Sequence, residues 1–60
     1  MYKLLIVCNG KRSIIVEDNL DEVHKDCTII EKLAHKQHCY VTVKCYDGDT
    51  RLFDRFFSDN

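Results

Sequence analysis

NLDEVHKDCTIIEKLAHKQH, residues 19–38, carries the periodicity of one amphipathic helix. Leu20, Val23, Cys27, Ile30 and Ala34 recur at steps of three, four, three and four, the spacing of a single helical face. Asn19 is placed to cap the first turn, with Glu22 three residues on, an Asn-x-x-Glu form of the capping box. Asp21 and Glu22 stand at the positive end of the helix dipole; Lys32, His35 and Lys36 stand at the negative end.

On the N-terminal side of this helix the pattern is that of strands. Tyr2 to Cys8 reads as a strand, with Leu, Leu, Ile and Val in succession and no helix-length extension, and Asn9-Gly10 after it is the strongest short hairpin signal. Ser13 to Glu17 returns with three β-branched residues in succession, Ile14, Ile15 and Val16. On the C-terminal side, Cys39, Val41, Val43 and Cys45 alternate with Tyr40, Thr42, Lys44 and Tyr46, which predicts a third strand opening at Cys39. Asp47-Gly48-Asp49 is a second turn. Thr50 to Phe57 has two readings: alternation as a strand, or a helical side made of Leu52, Phe53, Phe56 and Phe57. The favoured reading is a strand through about Phe53 with a helical turn after it. The fold class expected is α+β: one domain over residues 1–60, ββαββ, with a four-stranded, mostly antiparallel sheet and one helix packed on one face.

Tyr2-Lys3-Leu4, Asn9-Gly10-Lys11, Glu31-Lys32 and Tyr46-Asp47, in this order of elements, resemble the small β-grasp domains, among them the immunoglobulin-binding type. That resemblance implies strand order 2-1-4-3, with strands 1 and 4 central and parallel. The connections equally allow the antiparallel order 2-1-3-4. The immunoglobulin-contacting face of that family uses a tryptophan, and this chain has none. The resemblance therefore implies architecture without that activity.

Sixty residues leave room for one core, and a chain this short buries only about 60% of its unfolded surface, so dimerisation is a common remedy. Nine basic and ten acidic residues give a net charge of −1, so no global field draws nucleic acid or an anionic membrane. The longest apolar run, Leu4 to Cys8, falls far below the roughly 18 residues that span a bilayer. A lone Lys3 before it, without a small-residue cleavage site, predicts no secretory signal and a cytoplasmic location. Reduced, mostly buried cysteines follow from that compartment. Cys39 and Cys45, taken on one strand, would have Cα atoms roughly 20 Å apart at ~3.3 Å per residue. A disulfide needs about 7 Å.

The sheet has a second face, and one helix covers only one. With a two- or four-residue loop at Asn9-Gly10, Leu5, Val7, Ile14 and Val16 share one face, and Leu4, Ile6, Cys8 and Ile15 share the other. Either set can lie under the helix, and the other is then open to water. Contiguous exposed aliphatics mark an interaction site, so Leu5, Val7, Ile14 and Val16, with Phe53, Phe56 and Phe57, are taken as the candidates for self-association or a protein partner. The alternative is that the C-terminal aromatics fold back over that face.

Sites for chemistry are sparse. His35, His38 and Cys39, with Cys45 as a further donor, lack the paired Cys-x-x-Cys spacing of structural zinc, and no metal or cofactor is expected. His24 and Cys27 lie one helical turn apart, but Cys27 belongs to the apolar face, and no catalytic function is expected. Asp47 and Asp49 serve the turn. Lys11, Arg12, Lys44 and Arg51 are candidate phosphate contacts and Tyr40 or Tyr46 a stacking surface, for a small anionic ligand such as a nucleotide or for a nucleic-acid-binding sheet. The expected function is a small non-catalytic binding module, a homodimer that binds and inhibits or regulates another protein. Phages and mobile elements commonly encode inhibitors of this size.

Overall fold

Asn9 and Gly10 both take positive φ, 53° and 80°, the left-handed pair that a two-residue hairpin turn requires. They join β1 (Tyr2–Cys8) to β2 (Lys11–Glu17), antiparallel, with Cys8 opposite Lys11 and Tyr2 opposite Glu17. The computed structural model describes residues 1–58.

Helix α1 (Leu20–Gln37) starts where the sequence places its cap: Asn19 is extended, and its side-chain oxygen accepts from the Glu22 N–H at 2.9 Å. It stops at His38, which adopts the left-handed conformation (φ 53°, ψ 47°). The His38 and Cys39 N–H groups then donate to the His35 and Ala34 carbonyls, satisfying orphan acceptors of the last turn. That tight reversal uses up Cys39 and Tyr40, so β3 runs from Val41 to Asp47, two residues later than the alternation suggests. Gly48, at φ 62°, turns the chain into β4 (Thr50–Phe57).

The sheet order is β2-β1-β3-β4, every neighbouring pair antiparallel. This is the second of the two orders the connections allow; the β-grasp order, with β1 and β4 central, is not adopted. The reason lies in the last two strands. Val41, Val43 and Cys45 of β3 are buried, which suits a central position beneath the helix. β4 carries Arg51, Asp54 and Arg55, all exposed, and charged strands suit an edge. β4 is also continuous to Phe57, with no helical turn after Phe53. A register shift between Cys45 and Tyr46 puts an extra residue into β4 near Leu52.

The core lies between helix and sheet and comprises Leu4, Val23, Ala34, Cys39, Val41, Val43 and Cys45. Of the helical stripe, Val23 and Ala34 are buried, Cys27 and Ile30 are half-buried, and Leu20 in the first turn is exposed. Ile15, Phe53 and Phe57 pack around its margin.

Candidate interaction surface

The pairing registers define the sheet face that the helix does not cover. Three rows cross it from β2 to β4: Val16, Lys3, Tyr46 and Arg51; Ile14, Leu5, Lys44 and Asp54; Arg12, Val7, Thr42 and Phe56. Leu5, Val7, Ile14 and Val16 gather here, as the two-residue turn requires. Ile14 is 61% exposed and Val16 53%. Phe56 is 65% exposed and stacks on Tyr40, ring centroids 5.9 Å apart and planes 9° from parallel.

Strand alternation separates the three phenylalanines. Phe53 and Phe57 pack against the core on the helix side, leaving Phe56 for the open face. Of the residues proposed for an anionic ligand, Arg12, Tyr40, Lys44, Tyr46 and Arg51 come together on the open face, while Lys11 lies on the other side, opposite Cys8. Leaving out Phe53, Phe57 and Lys11, the two candidate sets share one surface.

That surface has a charge the whole chain lacks. It presents Lys3, Arg12, Lys44 and Arg51 against one acid, Asp54. Arg51 and Asp54 pair at 3.5 Å, and the Lys3 ammonium sits 5.7 Å from the Tyr46 ring centroid. Lys3 carries no site signal in the sequence, where the residues around it are apolar. Only the register brings it beside residues 43 and 48 positions away. The β1 alternation is the local feature that places Lys3 with Leu5 and Val7.

The acids concentrate elsewhere, where β2 enters the helix. Glu17 has its carboxyl pushed above the usual range by burial, then by the charge and hydrogen bond of Asp26, and by Glu22 and Asp18. Asp26 Oδ2 is buried without a hydrogen-bond partner among the described residues.

The thiols divide into two kinds. Burial raises the Cys27 and Cys45 pKa values, with Arg55 partly opposing this at Cys27. Such thiols stay protonated and pack as small apolar groups. His24, one turn from Cys27, is exposed. Cys8 and Cys39 meet at the end of the sheet, Sγ to Sγ 3.6 Å, in an apolar groove of about 150 Å³ beneath the end of α1. Among the described residues no group of three His, Cys, Asp or Glu side chains is placed to hold a metal ion. No described helix is long and apolar enough to cross a membrane.

Comparison with protein-family models, with curated proteins and with solved structures finds no match to this chain.

Proposed function

We propose that the chain is a small non-catalytic binding module, dimeric through its β2 edge, that regulates another protein by occupying an acidic surface on it. The open sheet face carries this reading. Aliphatic residues along β1 and β2, aromatic residues and arginines beside them, and four basic groups against one acid suit a docking surface for an acidic protein. A standard interface takes ~800 Å² from each partner, less than a fifth of this chain's 4424 Å². One broad face of a body 31 × 21 × 15 Å is of that order.

Two copies meeting face to face would oppose like charges, so self-association is better served by the edge. β2 has no proline and its ladder to β1 is unbroken, leaving a regular outer edge open to a further strand. Antiparallel pairing about a two-fold axis at Ile14 sets Lys11 of each copy opposite Glu17 of the other. It would extend the sheet to twice its width and join the two open faces.

Charge exchange tests the dimer. Lys11→Glu should shift light scattering towards monomer, and adding Glu17→Lys should restore the dimer; equal masses for all three chains across the micromolar range would sink the edge pairing. For the partner, proteins captured from nuclease-treated lysate should be lost with Val7→Asp and kept with Glu31→Lys. The complex should then be rebuilt from purified components. Equal capture by both variants would remove the open face from the reading.

The stacked Tyr40–Phe56 pair and Tyr46, beside the four basic groups, favour a second reading: a nucleotide or single-stranded nucleic acid on the same face. Fluorescence anisotropy with a labelled single strand separates it. Binding that weakens steeply with salt and is lost in Lys44→Glu supports nucleic acid.

A further inference from the structure

Cys8 and Cys39 stand 31 positions apart in sequence, yet their Sγ atoms lie 3.6 Å from one another. Two elements bring them there. Cys8 ends β1 on the helix-covered face, and Cys39 follows the left-handed His38 that terminates α1. Both thiols line the groove, whose other walls include Ile6, Ile30, Leu33 and Val41. Cys8 is partly accessible and Cys39 is 8% exposed. The sulfurs already approach within about 1.5 Å of the ~2.05 Å bond length.

We propose that Cys8 and Cys39 are a dithiol site that forms a reversible disulfide by exchange with a small-molecule disulfide of the glutathione class. In the first step Cys8 loses its proton to solvent, and the thiolate attacks one sulfur of the external disulfide. That S–S bond breaks, one thiolate leaves and a mixed disulfide remains on Cys8. Cys39 then loses its proton, attacks the Cys8 sulfur and expels the second external thiolate. The chain gives up two electrons and two protons; the external disulfide accepts the electrons and becomes two thiols. The new bond ties the end of β1 to the junction between α1 and β3. The groove is built for this order of events, since the more accessible thiol lies first in reach and the more buried one beside it. This proposal does not rest on the binding reading, because the pair lies on the opposite side of the sheet from the open face.

The folded chain is equilibrated in buffers of stepped oxidised-to-reduced glutathione ratio, quenched with acid, alkylated after denaturation and mapped by mass spectrometry. The expected product is a single chain, with no covalent link to a second, that has lost two hydrogens, with a Cys8–Cys39 cross-linked peptide and with Cys27 and Cys45 alkylated. Dithiothreitol should return all four thiols. The oxidised form should melt higher by more than about 5 °C, because the bond closes a long loop of the unfolded chain. Retention of four thiols at the most oxidising ratio would overturn the proposal. So would a stable glutathione adduct on Cys8, or linkage through Cys27, Cys45 or a second chain. Cys8→Ser should abolish the cross-link and Cys27→Ser should keep it. The mapping of the unmutated chain decides the matter even where a variant folds poorly.

Discussion

The two faces of one sheet solve different problems with neighbouring residues. On β1, Leu4 is wholly buried under the helix while Leu5, the next residue, is half-buried on the open side. Cys8 and Ile6 continue the covered row, Val7 and Lys3 the open one. On β3 the faces differ in kind: Val41, Val43 and Cys45 are buried, and Thr42, Lys44 and Tyr46 face outward. β3 alone would describe a sheet with one dry face and one wet face. β1 says otherwise, because it carries aliphatic residues on both faces, Leu4 and Ile6 on one and Leu5 and Val7 on the other, and only the first pair packs against the core.

The largest difference between the faces is expected when the same charge is placed on each side. Ile6→Lys sets an ammonium among the core margin, against Cys8 and Ile30, and should unfold the domain. Val7→Lys, one residue on, should keep a native circular dichroism spectrum. If both unfold, or neither does, the faces are wrongly assigned.

Truncation gives the same contrast in graded form. Leu4→Ala should cost about 2–5 kcal/mol in denaturant unfolding, the range for a fully buried leucine. Leu5→Ala should cost less than about 1.5 kcal/mol in the monomer, since its side chain has water on one side. Equal losses would mean that something covers the open face in the isolated chain.

Much of this architecture is legible in residue order because local physics sets it. The Asn19–Glu22 cap, the Asn9-Gly10 turn and the pairing of Leu5 with Ile14 each depend on residues close in sequence. Strand order does not, since both arrangements satisfy the same connections. The Phe53–Phe56–Phe57 spacing suits a helix as well as a strand, and the bulge beside Leu52 blurs the alternation further. The basic surface is illegible for another reason: Lys3, Arg12, Lys44 and Arg51 come from four different strands, and only register assembles them. The Cys8–Cys39 approach is illegible because the alternation carries Cys39 into β3, whereas the His38 reversal holds it back beside β1.

A smaller effect is expected where the open face meets the helix exit. Phe56→Ala removes a stacked ring from Tyr40 without opening the core and should cost about 0.5–1.5 kcal/mol beyond any loss from its partial burial. Phe53→Ala on the covered side of the same strand should cost more. A reversal of that ranking would put the β4 alternation out of phase.

The smallest effect concerns charge, and it sharpens the contrast between the basic open face and the acidic helix entrance. Glu17 binds its proton more tightly in the folded chain than in the unfolded one, chiefly through burial and the neighbouring Asp26 carboxylate. The sign follows from linkage: a carboxyl with a raised folded pKa favours folding while protonated. Its contribution is fully present below the ordinary pKa of 4.5 and is lost as pH rises through the raised value. At neutral pH the ionised Glu17 and Asp26 oppose each other, so Glu17→Gln should raise the thermal midpoint slightly at pH 7 and give no gain near pH 4. Dimerisation through β2 would bring Lys11 of the second copy opposite Glu17 and shrink the gain at pH 7 as concentration rises. A gain that stays constant with pH would show that shape, rather than charge, sets the effect of the substitution. A loss at pH 7 would mean that Glu17 is held by a favourable contact, and the acidic entrance would no longer count as a site of repulsion.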